Sequence, residues 1–408
     1  MKSFTILILI VGWVFKKKKK TYLQNIEEDG KIKLINKLFM KKIALFKSLL
    51  DQSDYSLITK SLKSGWLTHG KNNLIFEENF SKLIGCKYSI AMNSCTSALE
   101  CSLKILQKKG EVIIPSWTWV STANAVINTG NIPVFADVDI NSRNLTADHI
   151  EKKITKKTVA MIIVHYAGLP CEMTDIVKLA KKNKIFLIED SAETLGAKWK
   201  NNYTGSFGTG CFSFFPTKNI TTAEGGMLTT NNKEHYNKIK KIIAHGIDQQ
   251  KKPVFWHREA ILPGHNYRLP NHLAALGISQ LKKLKSFNKK RREIAKKYND
   301  FLKNFSDVFT LQKLNKNLTH SYQMYTCLIK PSLRSEFLNH MKNKGVEVSA
   351  HFVPPLHKQN YLKKYSNEKL VNTEYLSKSI ITLPIYPNLK DSELKLIFKF
   401  IKNWYEKK

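Results

Sequence analysis

Arginine is scarce in this 408-residue chain: six occur, at Arg143, Arg258, Arg268, Arg291, Arg292 and Arg334, against sixty-one lysines. Acidic residues are also few, 32 against 67 basic ones, leaving a formal net charge of +35. Such a charge ordinarily points to nucleic acid or a membrane surface. Here the excess is lysine, spread along the whole chain among many Asn and Ile, the pattern of a coding bias toward A/T-rich codons. A basic nucleic-acid-binding protein is favoured by net charge alone, and no nucleic-acid partner is expected. Cysteine is sparse as well: Cys86, Cys95, Cys101, Cys171, Cys211 and Cys327 form no CxxC pair and no His/Cys metal spacing. Reduced thiols in the cytoplasm are expected, with no metal. No Gly-rich dinucleotide fingerprint follows the first strand pattern, which disfavours a nicotinamide enzyme. Internal repeats and low-complexity linkers are absent too.

What the chain does have is concentrated between Lys184 and Gly226, KIFLIEDSAETLGAKWKNNYTGSFGTGCFSFFPTKNITTAEGG. Asp190 directly follows one apolar β-type run, and Lys218 follows a second, CFSFF. An amine and a carboxylate so arranged suggest a pyridoxal phosphate site: the cofactor needs an amine to hold its aldehyde and a carboxylate to keep its pyridine nitrogen protonated. In parallel α/β sheets ligands gather at the carboxyl ends of strands, where both residues fall if the two runs are strands. Taken singly, any of the lysines is a solvated surface charge; the neighbourhood singles out Lys218. Ser213 lies five residues before it and could bond the cofactor phosphate, and the turn-forming Gly225 and Gly226 come soon after.

EDSAETLGA around Asp190, FSFFPTKNITTAEGG around Lys218, AMNSCTSALE upstream and GHNYRLPNHLAALGISQL downstream together resemble the DegT/DnrJ/EryC1/StrS family. Its members are pyridoxal-phosphate-dependent aminotransferases acting mostly on nucleotide-linked keto sugars. The resemblance runs from about Met40 to the C-terminus, with several motifs in family order. It implies an α/β fold, the pyridoxal-phosphate-dependent transferase fold type I: a large domain with a mainly parallel central sheet and a smaller C-terminal α+β domain. The boundaries expected are a non-family extension over 1–39, an N-terminal arm and large domain over 40–286, and a small domain over 287–408. Some relatives that dehydrate carry histidine at the position of Lys218; lysine favours transamination.

In the extension, the apolar run Phe4 to Phe15 is shorter than the ~20 residues that span a bilayer, and Lys16 to Lys20 follow it, the reverse of a secretory signal. Stable membrane insertion and export are not expected. Met40 opens MKKIALFKSLL, which resembles a usual family N-terminus, so the extension is either an upstream start or a segment that touches a membrane weakly.

Along the rest of the chain, helices are expected over Asp51 to Leu62 and Phe76 to Ile84, a strand at KYSIAMN, and a helix opened by Ser94, Cys95, Thr96 and Ser97. A helix N-terminus suits a phosphate, and family members seat the cofactor there at the positions of Cys95 and Thr96; an ordinary Ser/Thr cap is the other reading. EVIIPSWTWVSTANAVINTGNIPVFADVD reads as a βαβ unit. The resemblance implies that Trp119 stacks on the pyridine ring, with a core tryptophan as the other possibility. A helix over Asn144 to Lys153 and a buried strand in VAMIIVHYAGLP should bring His165, Tyr166 and Gly168 to the sheet edge that holds Asp190. Glu193 departs from the glutamine or histidine of many relatives, and a glutamate there must be protonated or meet a positive partner.

Residues 247–262 read as a polar loop over the site. Asn266 matches a residue that reaches the phosphate of the neighbouring subunit's cofactor, which implies a homodimer with shared active sites. Arg268 suits a phosphate, a carboxylate or a structural ion pair. Phe287 to Leu302 reads as a helix bridging to the small domain, where His351 and His357 lie in a segment resembling the family's substrate-facing loop, although a lone histidine is more often structural. Glutamate as donor and a nucleotide 4-keto sugar as acceptor, in pathways feeding surface polysaccharide, are the substrates the resemblance implies, with a keto-cyclitol as the rival acceptor.

Overall fold

Runs such as YSIAM, EVIIP, TVAMIIV and FLIED are almost wholly apolar, as strands must be when helices cover both faces of their sheet. They form the centre of the fold in a computed structural model that describes residues 42–248, 254, 256–366 and 368–408; the expectations for the 1–39 extension lie outside the described residues. The main sheet has seven strands. They are β1 (Tyr88–Met92), β2 (Glu111–Pro115), β3 (Ile132–Ala136), β4 (Thr158–Val164), β5 (Phe186–Asp190), β8 (Thr209–Ser213) and β9 (Gly226–Thr230), in the order β1-β9-β8-β5-β4-β2-β3. Strand β9 runs antiparallel to β1 and β8, and the remaining pairings are parallel. The expected mainly parallel α/β sheet is therefore present. Short strands β6 (Lys198–Trp199), β7 (Asn202–Tyr203) and β11 (Leu318–Thr319) form a separate small sheet.

Side chains alternate between the two faces of a strand, and the core follows that period. Val112 and Ile114 join the layer beneath α3 (Cys95–Lys104) and α4 (Ser121–Asn128), whereas Ile113 joins the layer that includes Ile176 and Leu179 of α6 (Met173–Lys182). A third cluster sets Phe76 and Phe80 of α2 (Lys71–Ile84) against Phe212 and Phe214. Beyond the sheet, β10 (Phe309–Thr310), β12 (Tyr325–Ile329) and β13 (Ile380–Leu383) form an antiparallel sheet, flanked by α9 (Pro331–Asn343), α10 (Val371–Ser379) and α11 (Asp391–Tyr405).

Helix α8 (Asn271–Leu302) joins the two parts without a break. The helix expected from Phe287 begins at Asn271, one residue after Pro270, so the motif GHNYRLPNHLAALGISQL runs into its first turns. Its apolar residues join one core cluster up to Phe287 and a different one from Ile294, so the expected boundary after residue 286 lies inside a continuous helix. The N-terminal arm crosses it: Ile43 pairs with Val346 of the C-terminal part. Helix α1 (Gln52–Lys63) is capped by Asp51, and Lys283 of α8 meets both Asp51 and Asp54 at 2.6 Å. Helix α7 spans Lys233–Ile242. Two further boundaries differ from expectation. Helix α2 starts at Lys71, earlier than Phe76. Helix α5 covers only Ala147–Glu151, because Asn144 turns inward to bond the Leu169 carbonyl and the Tyr166 amide. No helix among the described residues is long and apolar enough to cross a membrane.

Candidate active site

The carboxyl ends of β4, β5 and β8 lie side by side, with Val164 opposite Asp190 and Asp190 opposite Cys211. Glu189 and Asp190, as neighbours in a strand, face opposite ways. Glu189 accepts from the amides of Gly205, Phe207 and Gly208, each at 2.8 Å, and meets His165 Nε2 at 3.2 Å, which fixes the strand end. His165 Nδ1 accepts from the Cys171 amide, so the ring is neutral with its proton on Nε2. Asp190 is buried. It accepts from Thr122 Oγ1 at 2.9 Å and from the Ala192 amide at 3.2 Å, and has no ion-pair partner among the described residues. Burial pushes its carboxyl above the ordinary range. A carboxylate so placed calls for a cation or a charged N–H.

Lys218 sits in the turn after β8, its amide bonded to the Phe215 carbonyl. Its Nζ is 3.4 Å from Glu193 Oε1, while Glu193 Oε2 accepts from the Ala167 amide at 2.7 Å. Ala167 holds φ of +58°, a left-handed conformation that costs an alanine energy and aims its N–H inward. Glu193 thus meets the positive partner that a buried glutamate requires, and that partner is Lys218.

At the start of α3, Ser94 caps the helix by accepting from the Ser97 amide, which leaves the Cys95 and Thr96 amides without intrahelical partners. Gly226 opens β9 opposite Ser213. A Cβ on Gly226 would lie 2.4 Å from the Ser94 carbonyl carbon and 2.5 Å from the Cys95 nitrogen, so only glycine lets the strand pass under the helix start. Ser213 is thereby brought to the same end, where its Oγ accepts weakly from the Phe215 amide at 3.4 Å. Cys95 Sγ lies 4.0 Å from Asp190 Oδ1, joining the two ends of the site, and burial keeps it a thiol.

Trp119 is 60% exposed and packs at 5.8 Å against Phe352, so it is not a core tryptophan. Tyr166 donates to the His351 carbonyl at 2.6 Å. The His351 ring faces Thr382 Oγ1 at 3.1 Å and is held below its ordinary pKa by burial. Asn266 is exposed beside Asn93, whose side chain donates to its carbonyl, and Arg268 lies 3.4 Å from His245. His357 is not brought to this group. It is buried, with Nδ1 at 2.6 Å from Ser116 Oγ and Nε2 at 3.3 Å from Glu374, and both nitrogens serve the fold. Among the described residues no group of His, Cys, Asp and Glu could hold a metal ion.

These residues fit pyridoxal phosphate. The buried, cation-free Asp190 matches a protonated ring nitrogen, Lys218 supplies the amine, and the α3 amides with Ser213 match a phosphate. The family model for the DegT/DnrJ/EryC1/StrS aminotransferase family matches residues 49–402. The chain belongs to that family.

As a DegT/DnrJ/EryC1/StrS aminotransferase it is 34% identical to GDP-perosamine synthase of Escherichia coli O157:H7, over 90% of this chain and all of that protein. It is 32% identical to the spore coat polysaccharide biosynthesis protein SpsC of Bacillus subtilis, over 87% of this chain and 95% of the other. Among solved structures it is similar to Helicobacter pylori PseC, an aminotransferase involved in the biosynthesis of pseudoaminic acid. That match has a TM-score of 0.85 and 31% identity, and covers 90% of this chain and all of PseC.

Three groups of this aminotransferase's site escaped sequence reasoning. Thr122 carried the one available signal, a hydroxyl in the first turn of a helix that follows a strand. The Ala167 amide carried none, since nothing in HYAG announces a left-handed alanine. Gly226 was legible as a turn former, but not as the residue that lets β9 touch α3.

Proposed function

We propose that this enzyme transfers an amino group from glutamate to the C4 keto carbon of a nucleoside-diphosphate 4-keto-6-deoxyhexose. Pyridoxal 5'-phosphate is its cofactor, and the product feeds surface polysaccharide. It works in the cytoplasm as a homodimer in which each subunit completes the other's site. One observation carries the reading: Lys218 and Glu193 meet 3.4 Å apart beside the buried Asp190, in a chain that resembles GDP-perosamine synthase along that protein's whole length.

When bound, pyridoxal phosphate supplies an electron sink that makes the hydrogen on an amine-bearing carbon acidic. Asp190 would accept the ring N–H of the bound cofactor, which keeps that sink charged. As a neutral amine, Lys218 Nζ takes the proton from the α-carbon of glutamate and becomes an ammonium, and in the second half of the cycle it delivers one to the sugar carbon. Glu193 holds Nζ over the reacting carbons while the Ala167 amide keeps its other oxygen still. The α3 amides and Ser213 would hold the phosphate, and Asn266 of the partner subunit would reach the same group. Trp119 would cover the ring of the bound cofactor and exclude water from that face. Arg268 and His351 are the candidate sugar-nucleotide contacts.

The test is a screen of GDP-, dTDP- and UDP-linked 4-keto-6-deoxyhexoses with ¹⁵N-glutamate, read by the label's position in the product. Amination at C4 is expected, and free keto sugars should react poorly because they lose the remote binding energy that positions the ketone. Equal turnover of a free keto sugar or a keto-cyclitol would sink the nucleotide assignment, and label at C3 the regiochemistry.

A further inference from the structure

Both chain neighbours of Lys218 are tied to one buried segment that leads into β12. The Thr217 carbonyl accepts from Gln323 Nε2 at 3.0 Å. Asn219 Nδ2 donates to the Ser321 carbonyl at 3.1 Å and to Asn288 Oδ1 at 2.6 Å. The same segment fixes the other half of the ion pair: the Ser321 amide bonds the Gly168 carbonyl at 2.9 Å and the Met324 amide bonds the Ala167 carbonyl at 3.2 Å. The turn whose amide holds Glu193 is therefore anchored where the lysine turn is anchored. Behind it, Arg291 Nη1 donates to the carbonyls of Tyr322, Gln323 and Ile385.

Gln323 is 1% exposed, and its Oε1 has no hydrogen-bond partner among the described residues. A buried unpaired acceptor costs roughly 1–3 kcal/mol, whereas methionine would fill a similar volume with no such penalty. Rotating the amide would set oxygen against oxygen at Thr217. What the glutamine supplies and a methionine does not is the bond to the Thr217 carbonyl.

Resting on the reading of Lys218 as the proton-moving amine, we propose that Gln323 is a positioning residue for that lysine. By fixing the carbonyl just before Lys218 it sets where Nζ stands relative to Glu193, and because it lies two residues before β12 it makes that place follow the C-terminal sheet. A displacement of β12 carries the lysine turn and the Ala167 turn together, so the pair keeps its geometry while the C-terminal part adjusts to substrate.

The test uses Gln323→Met and Gln323→Ala in the full chain. Hydrogen exchange, followed by mass spectrometry on cofactor-free protein, is read for the peptide over 215–220 and for β4 and β12. A local loss of the anchoring bond should speed exchange over 215–220 by about tenfold with β4 and β12 unchanged, and kcat of the loaded enzyme should fall about 10- to 100-fold at constant KM, as a small misplacement of a catalytic group does. Unchanged exchange over 215–220, equal acceleration throughout β4 and β12, or failure of both variants to fold would each overturn the proposal. The exchange measurement needs neither cofactor nor substrate. A Lys218→Ala protein that kept turnover would instead sink the reading of Lys218 and leave the exchange result to judge Gln323.

Discussion

Thr122 Oγ1 donates to Asp190 Oδ2 at 2.9 Å, and among the described residues the Ala192 amide is the other backbone or hydroxyl donor to this buried carboxyl. The hydroxyl comes from the first turn of α4, on the loop side of β2, and the acid from the end of β5. Two strands separated by β4 thus place a donor on the acid proposed to face the cofactor ring.

That environment has a measurable pH signature. Burial raises the Asp190 carboxyl in the folded protein above its unfolded value of about 3.9. The stabilisation from the neutral form is whole below the unfolded value and is lost as pH rises through the folded one. Cofactor-free protein should therefore lose melting temperature over that window relative to Asp190→Asn, which does not titrate. Parallel melting curves from pH 3.5 to 8 would contradict the assignment. With cofactor loaded, Asp190→Asn should lower kcat by about 100-fold or more, as removal of a charge-stabilising partner does.

Lys218→Ala should abolish the borohydride-reducible link to the cofactor and nearly all turnover while leaving the fold intact. Peptide mapping after reduction of the native enzyme checks the assignment: a modified lysine anywhere else shows it to be wrong.

Asn266 on the exposed face of its segment predicts complementation. An Asn266→Ala chain mixed with a Lys218→Ala chain should regain activity in heterodimers, since one of the two sites then holds both intact residues. A purified heterodimer without activity would assign Asn266 to its own subunit.

A chain starting at Met40 should be soluble and active. It keeps the Ile43 amide bonded to the Gly345 carbonyl and the Leu45 amide bonded to Glu347 Oε2 at 3.1 Å. Starting at residue 50 removes those ties and should destabilise the C-terminal part, by about 1 kcal/mol for each hydrogen bond lost. Equal melting temperatures for the two truncations would show that the arm adds nothing.

Most of the sheet was legible because each strand is a short apolar run ended by polar residues, and Asp190 could be put at a strand end on that ground alone. The α3 start was legible from Ser94 and the small residues after it. Helix α8 begins earlier than Phe287 because GHNYRLPNHLAALGISQL stands out as a motif more than as a helix; within it Gly277 lets α8 lie close on Phe76, where a Cβ would be 2.6 Å from the ring. His357 was read with His351 because the two share a loop. Burial against Ser116 and Glu374 separates them, and burial is a property of neighbours far along the chain.

Local composition by itself determined that an acid ends one strand of a mainly parallel α/β sheet and that a lysine follows another, since strand periodicity and strand ends are written within a few residues. Only the tertiary structure decided which groups act on them. Glu193 reaches Lys218 across 25 residues and Gln323 reaches Thr217 across 106. Such contacts depend on how turns and strand registers bring distant backbone together, and on a left-handed alanine and a close-passing glycine whose conformations are set by their surroundings.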